Sequence, residues 1–210
     1  MKPLDIPADI APVSHETAEK LRHYHGLLLK WQEKINLISP NTVPDAWERH
    51  FIDSAQLAPL FPSQARTLYD LGSGAGFAGM VLAILRPDMS VTLIESDAKK
   101  CAFLSTVSRE TNTPVTILNK RIEAARDGLT APDLVTARAL ASLTDLFSYV
   151  WPWAQERADL RLIFPKGGQA QAEIAAAQAS GWAFEAVLTP SKTEPAAQIL
   201  TVTNLGKKQG

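Results

Sequence analysis

The residues best able to do chemistry lie between positions 70 and 95. Asp70 is followed by Gly72, Gly74 and Gly76 at alternate positions, with Gly79 shortly after. Glycine lets a backbone turn sharply and come within contact of a ligand. Apolar residues run up to this cluster (Thr67–Leu71) and away from it (Phe77–Leu85). The glycines therefore sit where a strand turns into a helix, and a helix start offers unpaired N–H groups to a polar ligand. A second acid, Glu95, ends the next apolar run, Val91–Glu95, where a carboxylate can accept both hydroxyls of a ribose. Acids at two successive strand ends beside such a turn point to a nucleotide-type cofactor. The alternative is a tight turn that binds nothing.

Two cofactor chemistries compete for this turn. Gly74-Ala-Gly76-Phe-Ala-Gly79 satisfies G-x-G-x-x-G, the dinucleotide fingerprint, which is a weak signal by itself. The longer pattern Asp70-x-Gly72-x-Gly74-x-Gly76 resembles motif I of class I methyltransferases, whose strand-terminal acid helps orient the amino-acid end of S-adenosylmethionine. Glu95 suits both. Asp70, together with the absence of a Tyr-x-x-x-Lys pair, weighs against a nicotinamide enzyme.

These groups need a strand–turn–helix frame, and the flanking chain provides one. Strands are expected at Thr67–Leu71, Val91–Glu95, Val115–Leu118, Asp133–Ala137, Leu160–Pro165, Phe184–Thr189 and Gln198–Thr203. Helices are expected over Phe77–Leu85, Asp97–Glu110, through Leu146 and Tyr149, and over Gln169–Ala179. Such alternation implies an α/β, Rossmann-like fold: a doubly wound, mostly parallel seven-stranded sheet with helices on both faces. Upstream, Ala18, Leu21, Leu28 and Trp31 repeat at helical spacing over Ser14 to about Glu33, with Ser14 and Thr17 offering cap chemistry. A second helix is expected from about Pro44 to Leu57, since Pro suits a first helical position. Residues 1–13, with Pro3, Pro7 and Pro12, read as an irregular lead-in. The organisation expected is an N-terminal helical extension over 1–62 and one compact cofactor-binding domain over 63–210.

The chain has 210 residues, 46% of them hydrophobic, and a formal net charge of -1. A neutral chain gains no long-range attraction to nucleic acid, so a polyanion would have to meet a local basic patch. The one cysteine, Cys101, allows no intrachain disulfide and suits a reducing compartment; it reads as a packed helix residue. Met1–Pro12 has no apolar signal core, and no apolar run approaches a membrane span. A cytoplasmic location with no membrane partner is expected. His23 and His25 do not share a helix face, so no metal site is expected.

The resemblance then narrows. Trp31-Gln-Glu-Lys-Ile-Asn-Leu-Ile38, Glu48-Arg-His-Phe-Ile-Asp-Ser54, Asp70 to Gly79, Leu93-Ile-Glu-Ser96, Lys99-Lys100-Cys-Ala-Phe-Leu104, Arg121-Ile-Glu123, Thr136-Ala-Arg-Ala-Leu-Ala-Ser-Leu143 and Pro165-Lys-Gly167 together resemble the RsmG (GidB) family. These are bacterial methyltransferases acting on N7 of a guanine in 16S ribosomal RNA. The segments Glu48–Ser54 and Ala137–Leu143, more than the generic glycine motif, carry this likeness. Two positions depart from it: Ala78 stands where the family usually has Pro, and Gln198 where it often has a basic residue.

The resemblance implies a class I methyltransferase fold, S-adenosylmethionine as cofactor, and 16S rRNA as substrate, within the small ribosomal subunit or an assembly intermediate. It implies cofactor binding by Asp70, Gly72, Gly74, Gly76, Phe77, Glu95, Ile122, Glu123 and Arg138. Arg138 is also the catalytic candidate, with roles toward the cofactor carboxylate and toward the target guanine both open. Guanine N7 carries a lone pair and no proton, so alignment can replace a general base. Candidate RNA contacts are Arg22, Lys30, Lys34, Arg49, His50, Lys99, Lys100, Lys120, Arg121 and Lys166. A monomer is expected. A non-catalytic RNA-binding module and a nicotinamide-linked oxidoreductase remain as alternatives.

Overall fold

The computed structural model of the protein describes residues 4–208. Helix α1 (His15–Gln32) starts where Ser14 Oγ accepts the Thr17 N–H at 3.1 Å. Its inward side chains Leu21, Tyr24 and Leu28 are fully buried. The lead-in is irregular over the residues described, yet it packs: Ile6 and Ile10 are buried, and Trp47 Nε1 donates to Asp5 O at 3.1 Å. Met1–Pro3 and Gln209–Gly210 lie outside the described residues.

The helix expected from Pro44 is replaced by a π-helical turn, Trp47–Ile52, that runs into a single α-turn, α2 (Asp53–Ala55). Ser54 Oγ donates to His50 O at 2.6 Å, and the Asp53 N–H reaches back to Glu48 O. A serine that bonds the preceding turn's carbonyl competes with the regular helical ladder, and the wider turn results. Wide turns of this kind gather at functional sites.

The sheet strands are β1 (Thr67–Leu71), β2 (Ser90–Glu95), β3 (Thr116–Asn119), β4 (Leu134–Ala137), β5 (Arg161–Lys166), β6 (Trp182–Pro190) and β7 (Gln198–Lys207), in the order β3-β2-β1-β4-β5-β7-β6. The pairings among β1–β5 are parallel, and β7 runs antiparallel to both β5 and β6. The sheet is the seven-stranded, mostly parallel one expected. β1 lies between β2 and β4, so the order reverses there, and the carboxyl ends of β1 and β4 frame a crevice.

Helices α3 (Gly79–Leu85), α4 (Ala98–Glu110), α5 (Ile122–Ala125), α6 (Leu143–Glu156) and α7 (Ala170–Ala179) cover the strands. The short α5 has no counterpart in the sequence reading, because a single turn gives no periodicity. α6 runs beyond Tyr149 with Pro152 inside it. One apolar cluster joins Leu21, Tyr24, Phe51, Phe77 and Leu104 to the sheet residues Leu68 and Leu93. The helical layer before β1 thus shares its core with one sheet face. The opposite face packs Phe147, Trp153 and Ala177 against Val135 and Phe164. Trp153 is core, and Trp151 sits edge-on to Trp182.

Candidate active site

The turn after β1 crosses from strand to helix through Gly72 (φ +63°) and Gly74 (φ +57°). These are left-handed conformations that favour glycine. A Cβ at Gly72 would come within 2.6 Å of Leu140 Cδ1. The Gly74 N–H is taken by Glu95 Oε2 at 2.8 Å, and the other carboxylate oxygen accepts the Asp97 N–H at 2.8 Å. Backbone donors thus hold Glu95 at the end of β2, with one lone pair left on each oxygen.

Gly72, Gly74, Glu95, Ile122, Glu123 and Arg138 line one cleft of about 330 Å³, inside the range of roughly 300–1,000 Å³ usual for small-molecule sites. Asp70, Gly76 and Phe77 stand behind it. Asp70 is fully buried; it accepts the Gly79 N–H at 3.1 Å and the Thr136 hydroxyl at 2.8 Å. Burial raises its pKa to about 6, against the pull of these hydrogen bonds. Its carboxylate ties the helix start to β4 and does not line the cleft. Gly76 packs toward Tyr24 and Met80. Phe77 is stacked between His50 and Tyr24, with ring centroids at 4.9 and 5.7 Å.

A second cleft, about 480 Å³, opens on the other side of the segment after β4. Its walls come from the π-turn (Arg49, His50), from Lys166 at the end of β5, and from Thr193 and Glu194 between β6 and β7. Lys166 Nζ is paired with Glu173 Oε2 at 2.7 Å. Arg138, Ala139 and Leu140 line both clefts and form their common wall, with Ala139 in the left-handed region (φ +50°).

Arg138 is held from the second cleft's side. Nη1 donates to Arg49 O at 3.0 Å and to Asp53 Oδ2 at 3.1 Å, and Nη2 donates to His50 Nδ1. Its Cζ lies 5.4 Å from the Phe77 ring centroid. Burial, then the Arg138 and Arg49 cations, push the His50 pKa down to about 3. His50 is a buried neutral ring on the wall of the second cleft.

Arg22 is tied to Asp5 and Glu19. His23 is exposed beside Glu110 and His25 packs edge-on against Trp47 and Phe51. Among the described residues no group of His, Cys, Asp or Glu could hold a metal, and no helix is long and apolar enough to cross a membrane. Cys101 is buried, its thiol donating to Glu95 O at 3.3 Å, and burial raises its pKa. Asp53, Gln56 and Thr193 were not singled out in the sequence, although Asp53 lies within Glu48–Ser54, a segment that carries the family likeness.

A family model described as "GidB: rRNA small subunit methyltransferase G" matches residues 17–198. The chain is 48% identical over 196 residues to the ribosomal RNA small subunit methyltransferase G of Paramagnetospirillum magneticum, covering 93% of this chain and 92% of that one. It is 45% identical over 202 residues to the protein of the same name from Parvibaculum lavamentivorans, covering 94% and 88%. Among solved structures it is similar to magnesium protoporphyrin IX methyltransferase from Synechocystis PCC 6803 with bound SAM, at a TM-score of 0.59 and 14% identity, covering 92% of this chain and 99% of that one. At that identity the likeness speaks to the fold.

Proposed function

The chain belongs to the rRNA small subunit methyltransferase G family, and we propose that it transfers the methyl group of S-adenosylmethionine to N7 of one guanine in 16S ribosomal RNA. The observation that carries this is the meeting of two clefts at one wall, Arg138–Leu140. Methyl transfer needs donor and acceptor aligned across a short gap, and alignment alone is worth roughly 7–11 kcal/mol. The 330 Å³ cleft takes the cofactor and the 480 Å³ cleft takes the acceptor base.

The first cleft's residues fit that cofactor. Gly72 and Gly74 leave the strand end free of side chains. Glu95 keeps lone pairs for two ribose hydroxyls. Ile122 offers an apolar face to a purine, with Glu123 beside it, and Arg138 faces the amino-acid end. Asp70, Gly76 and Phe77 act from behind: Asp70 fixes the helix start, Gly76 lets α1 approach, and Phe77 supports Arg138 and His50. S-adenosylmethionine, when bound, supplies a methyl group on a sulfonium. Guanine N7 brings a lone pair and no proton. His50 agrees with a reaction that needs no base: it faces the acceptor cleft, its Nδ1 is occupied, and its pKa is about 3.

RNA contact beyond the acceptor base falls to cations near the clefts. Lys34, Lys99 and Lys100 share a hollow of about 350 Å³, and Lys100 also rims the cofactor cleft with Lys120 and Arg121. Among the described residues none of these five is in an ion pair. They form a track for sugar–phosphate, each cation contributing roughly one unit to the salt dependence of binding. With a net charge of -1, this track is too small to hold naked RNA tightly. We infer a shaped substrate, the small ribosomal subunit or an assembly intermediate, met by a cytoplasmic monomer.

The test is transfer of labelled methyl from S-adenosylmethionine to 30S subunits taken from cells lacking the homologous enzyme. The expected product is 7-methylguanosine at one position of 16S RNA. Label at another atom, or none, overturns the assignment. A nicotinamide-linked oxidoreductase and a non-catalytic binding module, the alternatives left open by the sequence, are not favoured by the family.

A further inference from the structure

We propose that His50 and Asp53 are positioning residues for Arg138, holding its remaining N–H groups toward the carboxylate of the cofactor's amino-acid end. This rests on the cofactor reading above and goes beyond it by naming what makes Arg138 competent.

Arginine has five N–H donors, no acceptor, and never deprotonates in a protein. Three of the five are accounted for: two on Nη1, to Arg49 O and Asp53 Oδ2, and one on Nη2, to His50 Nδ1. The Nε–H and one Nη2–H remain, on the same rigid plane. Because Arg138 can only donate, His50 Nδ1 must present its lone pair. The imidazole proton therefore sits on Nε2, which faces Thr42 Oγ1 at 3.0 Å. Stacking on Phe77, 21° from parallel, fixes the ring.

Asp53 is fixed as firmly. Its Oδ1 accepts from Thr193 Oγ1 at 2.7 Å and from Gln56 Nε2 at 2.8 Å, which leaves Oδ2 for Arg138. Gln56 also accepts the Lys192 N–H at 2.8 Å. The guanidinium is thereby bolted to the π-turn, and through Asp53 to the β6–β7 connection. Its orientation is set before any ligand arrives.

The two free donors suit a carboxylate, which accepts two N–H bonds from a guanidinium. They do not suit the reacting edge of the acceptor. Arginine reads guanine through O6 and N7 together, and a donor on N7 would occupy the lone pair that has to attack the methyl. A bidentate O6/N7 contact is therefore incompatible with an N7 product, and the pair of free donors favours the cofactor carboxylate.

The test is calorimetric binding of two nucleosides to the full chain. S-adenosylhomocysteine carries the amino-acid end; 5′-methylthioadenosine lacks it. Arg138→Ala and His50→Leu are expected to weaken S-adenosylhomocysteine by about tenfold or more, the scale of one charge-assisted hydrogen bond. Both should leave 5′-methylthioadenosine within about twofold. His50→Asn places a carbonyl oxygen near the Nδ1 position and should recover most of the loss. Equal weakening of both nucleosides overturns the proposal, as does a His50→Asn variant no better than His50→Leu. Unchanged S-adenosylhomocysteine affinity with a raised KM for 30S subunits assigns Arg138 to the acceptor and overturns it as well. A wild-type protein that binds neither nucleoside overturns the underlying cofactor reading, which separates that failure from failure of the clamp alone.

Discussion

Around Gly72 the wall is mostly backbone: a glycine turn, a carboxylate held by two main-chain N–H groups, and the first turn of a short helix. Around His50 the wall is side chain: an imidazole, an aspartate, a lysine–glutamate pair and a threonine, brought in from the π-turn, from β5 with α7, and from the β6–β7 connection. A backbone site follows from local sequence, because a short stretch with the right glycines fixes it. A side-chain site exists only after distant segments have packed. Substitutions in the first should act on the cofactor and those in the second on the acceptor, except at Arg138, which lines both clefts, and at His50 and Asp53, which hold it.

The largest effect is expected from Gly72→Asp. The new side chain would meet Leu140, its backbone would hold a left-handed φ, and a carboxylate would enter the cleft. An uncompensated charge in such a place costs about 3 kcal/mol or more, over about a hundredfold in Kd. Calorimetry with S-adenosylhomocysteine should detect no binding while the melting curve stays cooperative. Near-normal affinity would show that the glycine turn is not the cofactor wall. Gly79→Ala probes the same wall from behind. A Cβ there would lie 2.6 Å from Asp70 Cβ and collide with Leu93 Cδ2, both buried. Overpacking of this kind costs about 1–3 kcal/mol, so the midpoint of urea unfolding should fall while Lys166 and its cleft keep their ion pair.

The contrast between the clefts also explains what the sequence disclosed. The strand–helix alternation, the glycine turn and Glu95 are local patterns; they foretold the sheet, and Gly72, Gly74 and Glu95 line one cleft at its edge. The same patterns misplaced Asp70. A strand-terminal acid next to a glycine turn has the right spacing for a ligand, but β-strand alternation turned its side chain inward to Thr136 and Gly79. The acceptor cleft was hidden for another reason. Asp53 and Thr193 are 140 residues apart in sequence, and no spacing rule joins them. His50 was a candidate RNA contact on an expected helix, and the π-turn that carries it was not foreseen. Nothing short of packing shows that its ring faces Phe77 and Arg138.

Asp70→Asn separates the buried acid from the cleft acid. The folded Asp70 carboxyl titrates near 6, above its ordinary value of 3.8, because burial disfavours its charge. The folded state therefore holds this proton more tightly than the unfolded chain does. The stability it contributes is complete below about pH 4 and is lost as pH rises through about 6. At about 1.4 kcal/mol per unit, the stability of the wild type minus that of Asp70→Asn should fall by about 3 kcal/mol between pH 4 and pH 7. Urea unfolding at three pH values reads this directly. A difference independent of pH would mean that Asp70 is not the buried acid described. The cleft acid is checked alongside, since Glu95→Gln should weaken nucleoside binding in the same buffers.

The smallest effect should come from Lys166→Ala, and it tests the second half of the contrast. Lys166 lies on the acceptor cleft, its side chain is only 9% exposed, and its Nζ is paired with Glu173 Oε2 at 2.7 Å. Glu173 would keep one partner, the Leu143 N–H at 3.0 Å, so the fold should survive. The acceptor side would lose a cation and gain an uncompensated carboxylate facing a polyanionic substrate. One charge-assisted contact corresponds to about tenfold, and that loss should appear in kcat/KM for 30S subunits. S-adenosylhomocysteine affinity should stay within about twofold, because Lys166 does not line the cofactor cleft. If nucleoside affinity falls instead and 30S turnover at saturating cofactor does not, the two clefts have been assigned the wrong way round.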